Sequence, residues 1–361
     1  MKAGLPALMA AVVLTGACQT SPEAKSPSSP VAMASPSGVP TLVIRRWSGS
    51  AANLGSVTDL AVSAQAVYAL YVPSGTQGGV AGAANTALAR IDRNTRAVLT
   101  VGPFPGAMQI AVIAGSVWIA EGNGVTTAGS APTLTSLDAD TLQFVRRIPL
   151  PHETGRPAVA NLVAGEVGLW LAYGTHLYQL DPQTGQATRK RSLGGLATSI
   201  AVDSGAVRLY VGAVTAGSDK TTVSEWTVAT LNQLASSDTG APGELGGPQL
   251  AAGTDGVWIA YATGMMGQVE HRRASDLSPL PIVAAHVHTN AVEVDVVDGY
   301  VWVDDAMAGI LACLDPTTGA VSATKNLPLG GIVAGDSAGL YIGDVNGINV
   351  LVPDSRCRNG A

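Results

Sequence analysis

Charged side chains are scarce in this chain of 361 residues: Asp, Glu, Lys and Arg make up 13% of it, about half the usual quarter. Aromatic residues contribute 4%, with two Phe, and there are three Cys. So little charge beside 47% hydrophobic residues excludes a disordered chain and a coiled coil. It also argues against a helical bundle, whose outer faces carry long charged side chains. Basic residues are in the minority, 20 against 26 acidic, and the net charge of −6 leaves no electrostatic footprint for nucleic acid. His and Cys do not occur at structural zinc spacing, and no phosphate-cradling Gly-rich loop precedes a helix. Ser50, Ser130 and Ser204 lie outside any nucleophile elbow. What the chain has in quantity is Gly, 43 residues, together with 21 Pro, the chemistry of many turns.

The N-terminus carries an address. Met1-Lys2 supplies a positive start, and residues 5–14 form an apolar run of signal-peptide length, too short to span a bilayer. The run ends in Leu14-Thr15-Gly16-Ala17-Cys18, which resembles the bacterial lipobox, although Thr15 stands where that motif prefers Leu. The resemblance implies cleavage after residue 17 and a lipid on Cys18; the alternative is an ordinary secretory peptide and a secreted protein. Residues 18–40 are rich in Ser, Pro and Ala and cannot bury enough surface to fold, so they read as a tether. The expected location is extracytoplasmic, on the bacterial cell membrane through the lipid anchor. Loss of Lys2 leaves a net charge of −7, which holds the body off an anionic surface.

From residue 41 onward the chain repeats itself. An apolar residue, an aromatic and alternating aliphatic and small residues recur as Val67-Tyr68-Ala69, Val117-Trp118-Ile119, Leu169-Trp170-Leu171, Leu209-Tyr210-Val211, Val257-Trp258-Ile259, Val301-Trp302-Val303 and Leu340-Tyr341-Ile342. The aromatics are 50, 52, 40, 48, 44 and 39 residues apart, the spacing of four-stranded propeller blades. A second motif follows: Ile91-Asp92-Arg93-Asn94-Thr95, Leu137-Asp138-Ala139-Asp140-Thr141, Leu180-Asp181-Pro182-Gln183-Thr184-Gly185 and Leu314-Asp315-Pro316-Thr317-Thr318-Gly319. Asp bonding its downstream backbone, Pro fixing φ and Gly accepting positive φ predict a tight turn between the third and fourth strands. The units around 210 and 258 lack it and are the least regular. This layout resembles secreted bacterial propellers with YVTN-like, NHL-like or streptogramin-lyase-like repeats, over residues 41–361.

The predicted fold is therefore all-β, a seven-bladed β-propeller closed by an N-terminal strand. The last unit ends without a fourth strand, and residues 41–47 form a strand without a unit; together they complete blade seven and close the ring. The 321 residues from 41 to 361 give about 46 per blade. The recurring Trp and Tyr read as packing between blades rather than as a carbohydrate platform. Cys313 and Cys357 fall near one blade interface in an oxidising compartment, where they form either a disulfide or two free thiols.

Candidate chemistry gathers on one face, reached by the loops between strands two and three and those leading into the next blade. His152, His176, His286 and His288 map to such loops, with Glu153 and Arg156 beside His152, whereas His271 does not. Glu121, Asp304, Asp305 and Asp344 follow second strands on the same side. His286-Val287-His288, with period two, could complete a divalent-metal site with Asp304 or Asp305. Streptogramin lyases use a His and acidic residues with magnesium on such a face, but their catalytic spacing has no residue-by-residue counterpart here. The expected function is a noncatalytic, monomeric module that binds a small molecule, a glycan or an envelope protein, with no cofactor assigned. The competing expectation is a metal-assisted lyase or hydrolase using His286, His288 and Asp304.

Overall fold

The computed structural model describes residues 44–46, 54–74, 86–121, 132–151, 160–166, 168–203, 205, 207–215, 220–242, 247–263, 266–281, 292–305, 309–327, 331–336 and 339–351. The chain divides into Met1–Ser37, outside the described residues, and Gly38–Ala361. The second unit is all β. Strand β1 (Ile44–Arg46) precedes blade one, formed by β2 (Gly55–Val62), β3 (Ala66–Pro73), β4 (Ala87–Asp92) and β5 (Val98–Val101). Blade two contains β6 (Gln109–Ile113), β7 (Ser116–Glu121), β8 (Thr133–Asp138) and β9 (Phe144–Pro149). Blade three contains β10 (Ala160–Gly165), β11 (Gly168–Tyr173), β12 (His176–Leu180) and β13 (Ala187–Ser192). Blade four runs through β14 (Gly195–Val202), β15 (Arg208–Thr215), β16 (Lys220–Thr227) and β17 (Gln233–Pro242). Blade five has β18 (Gln249–Ala252), β19 (Gly256–Thr263) and β20 (Met266–Arg273), with a single bridge from Arg272 to Pro279 where the outer strand would begin. Blade six contains β21 (Val292–Val297), β22 (Tyr300–Asp305), β23 (Ile310–Leu314) and β24 (Val321–Asn326). Blade seven contains β25 (Ile332–Asp336), β26 (Gly339–Asp344) and β27 (Gly347–Leu351), completed by β1.

The ring closes as the sequence predicts. Strand β1 pairs antiparallel with β27, Ile44 opposite Leu351 and Arg46 opposite Asn349. Seven apolar cores then lie between neighbouring blades, one at each junction. The closing junction packs Leu60, Val67 and Tyr71 of blade one against Tyr341 and Ile348 of blade seven. A charged latch reinforces it: Arg93 of blade one donates to both carboxylate oxygens of Asp336 in blade seven, at 2.6 and 3.0 Å. The same guanidinium sits over the Tyr341 ring, 5.4 Å from its centroid.

Each second strand is covered on both faces by adjacent blades. That is why β7 reads Ser-Val-Trp-Ile-Ala-Glu, apolar without a polar alternation, and why charge is so rare in the composition. All seven repeat aromatics are buried, Trp118, Trp170 and Tyr210 completely. They also bond forward. Tyr68 donates to the Ala139 carbonyl at 2.9 Å and Trp118 to the Pro182 carbonyl at 3.2 Å, each acceptor lying in the turn before the outer strand of the next blade. Outer strands have the opposite character, as in β13, whose six residues Ala-Thr-Arg-Lys-Arg-Ser are all exposed.

The turns into the outer strands are one structure written in different sequences. Asp92, Asp138, Asp181 and Asp315 each accept a bond from the backbone N–H three residues on, at 2.7 or 2.8 Å. These bonds and those from the Thr hydroxyls hold the four carboxyls below the usual Asp range. Thr227 and Arg273 replace the Asp in blades four and five, yet the closing N–H to carbonyl bond across four residues is kept, at 2.9 and 3.0 Å. The residue making it has positive φ whether it is Gly185, Gly319, Leu142, Leu231 or Leu277. The three Leu side chains are buried, and that burial offsets the backbone cost. Gly185 has no such freedom to change, because a Cβ would meet the Trp118 ring and lie 2.5 Å from Ile148 Cδ1. Gly185→Ala should cost about 2–4 kcal/mol, read as a lower urea midpoint at unchanged slope; an unshifted midpoint would contradict this packing of turn on aromatic.

Candidate functional site

The innermost strands enclose an open channel of about 480 Å³, lined by residues from β2, β6, β10, β18, β21 and β25. Aligning the seven inner strands on the residue paired with each blade's aromatic exposes a pattern. That residue is Ala61, Ala111, Val163, Ala201, Ala251, Asp295 or Ala334, small in every blade except the sixth. Two residues earlier stand Asp59, Gln109, Asn161, Ser199, Gln249, Glu293 and Ile332, six polar side chains out of seven. They form a collar toward the end of the ring where each inner strand begins, the end that also receives the loops between strands two and three.

Part of the collar binds blade to blade. Asp59 accepts from the Ile110 N–H at 2.6 Å, and its other oxygen accepts from Leu60 at 2.9 Å. Gln109 repeats the arrangement, accepting from the Leu162 N–H at 2.5 Å and approaching Asn161 Oδ1 at 3.4 Å through its amide nitrogen. In blade six the same strands carry an excess of acid. Glu293 lies directly opposite Asp304 in the β21–β22 ladder, and Asp295 follows two residues later on β21. Asp304 is 2% exposed; one oxygen accepts from the Gly331 N–H of blade seven at 2.7 Å, and Oδ1 is buried without a hydrogen-bond partner.

Four carboxyls therefore share one small opening, and all four are harder to ionise than usual. Enclosure by the ring, which thins the water around it, then the charges of Asp304, Asp59 and Asp295, push Glu293 up to about 8. Burial raises Asp59 and Asp304 to about 7, against the pull of the N–H groups that bond them, and Asp295 to about 6. Glu293 is open to the channel, and Asp304 lines it with 2% of its surface exposed.

The candidates from the sequence separate into three groups. Asp304 lines the channel. Asp304 and Asp305 are the last two residues of β22, as Glu121 is the last of β7 and Asp344 the last of β26, so these acids end strands rather than follow them. Glu121 and Asp344 serve their own blades. Glu121 accepts from Arg147 at 3.0 and 3.1 Å and from the Thr135 hydroxyl. Asp344 accepts from the Asn346 N–H at 2.6 Å and from the Asn349 amide at 2.8 Å. His176 is the first residue of β12 and not a loop residue, because the two-residue turn at Gly174-Thr175 is tight enough for the ladder to begin there. Its ring sits 5.9 Å from Tyr178 and its Nδ1 3.3 Å from the Thr175 hydroxyl.

His152, Glu153, Arg156, His286 and His288 lie outside the described residues, as do Cys18 and Cys357. Cys313 is fully buried between blades six and seven and is disulfide-bonded. Among the described residues no three His, Cys, Asp or Glu side chains converge as a metal ion would require. His271, set apart in the sequence, is a core residue: it is 2% exposed, stacks on Trp258 with centroids 4.1 Å apart, and burial lowers its pKa.

The pH dependence of stability follows from these signs. For the four raised carboxyls the folded state holds protons that the unfolded chain has released, so their contribution is complete below about pH 4 and is lost as pH rises toward 8. His271 acts oppositely, its contribution fading as pH falls below about 6.5. Glu293→Gln should raise Tm by about 2 °C at pH 8.5 and flatten the gain in Tm on acidification from pH 8.5 to 6.5, measured by calorimetry. A lower Tm at pH 8.5 would contradict like-charge crowding in the collar.

No protein-family model matches the chain, and no curated protein matches it. Among solved structures it is similar to Kuenenia stuttgartiensis hydrazine synthase, with 10% identity and a TM-score of 0.61, over 84% of this chain and 97% of that one. It is also similar to the Neurospora crassa Pan2 WD40 domain, with 12% identity and a TM-score of 0.55, over 82% and 89% of the two chains. At such identities the likeness is one of fold, and the fold is a seven-bladed β-propeller.

Proposed function

We propose that this chain is a cell-envelope lipoprotein whose propeller acts as a noncatalytic binding or interaction module. The observation that carries the binding role is the open channel lined by Asp59, Gln109, Gln249 and Glu293 of the collar, of which the Glu293 side chain makes no hydrogen bond among the described residues. In this reading residues 1–17 are the signal peptide, Cys18 bears the lipid, residues 18–40 are the tether, and residues 41–361 present the ring outside the cytoplasm. The disulfide at Cys313 supports an oxidising compartment, and we assign Cys357 as its partner. The membrane is a partner through the anchor alone, the ring acts as a monomer, and the ligand is a small molecule, a glycan or an envelope protein.

Two measurements test this reading. Intact mass and membrane fractionation should find a diacylglycerol-modified Cys18 in the membrane fraction and a Cys18→Ala variant released from it. Membrane retention of Cys18→Ala, with no lipid mass on the parent, would contradict the anchor. Compounds that raise Tm in a thermal-shift screen should be recovered chemically unchanged by NMR after prolonged incubation; a product whose formation requires His286 and His288 would overturn the noncatalytic assignment.

A further inference from the structure

Glu293 and Asp304 differ from the other collar residues in what they leave undone. Asp59 and Gln109 accept N–H groups of the following blade, but the side chain of Glu293, in the same strand position, makes no hydrogen bond among the described residues. Across the ladder from it, Asp304 keeps Oδ1 buried and unpartnered. A carboxylate oxygen shut away from water without a donor is unfavourable, and a ring that needed only cohesion would be better served by the Ala or Gly that stands there in most blades. Ala120, Ala172, Gly212, Ala260 and Gly343 occupy the position of Asp304, and Ala that of Asp295 in five blades.

The channel around these acids selects a chemistry. Among the described lining residues there is no Lys, Arg or His to pair with an anionic ligand. A neutral ligand would leave the carboxylates without opposite charge. The volume of about 480 Å³ is far larger than a single ion, and no three ligating side chains converge on one point among the described residues. Between the acids, half-buried Val296 and Ile332 add aliphatic surface to a lining that is otherwise largely polar. Carboxylates separated by aliphatic surface match ammonium groups joined by methylenes, since each ammonium offers three donors and each methylene prefers the wall.

We propose that the channel binds a small aliphatic amine in its protonated form, with an ammonium group held by Glu293 and Asp304. This rests on the binding-module reading and names the ligand class for it. A bound cation favours ionised carboxyls, so at pH 7 binding releases protons to the buffer.

Isothermal titration of the full chain at pH 8.5 with 1,5-diaminopentane tests the assignment, against 1,5-pentanediol, glutarate and Mg²⁺ as probes of similar length or of charge alone. The diamine should bind, and the diol, the dianion and Mg²⁺ should bind at least tenfold more weakly. Glu293→Gln and Asp304→Asn should each weaken the diamine by about tenfold or more. Asp238→Asn, a charge change on the outer strand β17, should leave affinity unchanged. Circular dichroism of each variant separates lost binding from lost folding, and buffers of different ionisation enthalpy at pH 7 should reveal the released protons. No binding of the diamine, equal binding of the diol, or equal losses in Asp238→Asn and Glu293→Gln would overturn the amine assignment. Binding of the diol or glutarate in place of the diamine would do so while leaving the module reading intact, whereas chemical conversion of any probe would overturn the module reading itself.

Discussion

The whole ring depends on burying both faces of every second strand against the neighbouring blades. A single four-stranded sheet with Trp118 or Trp170 at its centre would expose a large apolar surface; between two neighbours each ring is fully buried. Each such burial contributes about 2–3 kcal/mol, and the sum is available only when every junction is made. One open junction would strand two apolar faces at once. That is why the closing contact between blades seven and one carries a borrowed strand, a shared apolar core and a bidentate Arg93–Asp336 pair.

Closure also creates the channel and sets its chemistry. Inner strands present one unpaired backbone edge to the axis, so their N–H groups need acceptors from somewhere. Asp59 and Gln109 supply them across blade boundaries, which gives the collar a cohesive role. Blade six departs from this economy. Beside Glu293 of the polar collar, Asp295 and Asp304 add charge where most other blades place Ala or Gly, and the closed ring confines that charge. Such a concentration of acid costs stability, and costs of this kind are kept where a site uses them.

Much of the architecture was legible in the chain itself. The aromatic repeat marks each second strand because two-sided burial demands a continuous apolar run, and the orphan strand near residue 44 announces closure. The missing Asp in blades four and five hid an unchanged turn, because buried Leu231 and Leu277 hold the positive φ that Gly supplies elsewhere. The collar was harder to see. One polar residue in a short apolar strand looks like ordinary alternation, and Asp59, Gln109 and Glu293 align only once register with the aromatic is known. A signal was nevertheless present: Val-Trp-Val-Asp-Asp breaks the Val-Trp-Ile-Ala pattern at the position that became Asp304. Residue type alone could not distinguish Asp304, facing the channel, from Glu121 and Asp344, tied into their own blades.

The central claim is that ring closure crowds carboxyls at the channel mouth with no basic side chain beside them among the described residues, and Glu293 at their centre. Its most direct measure is the titration of the Glu293 side-chain carboxyl followed by ¹³C NMR in the folded protein. The account predicts a midpoint well above the ordinary Glu value, near 8, that falls when Asp304 is replaced by Asn. A midpoint of about 4, unmoved by that replacement, would contradict it.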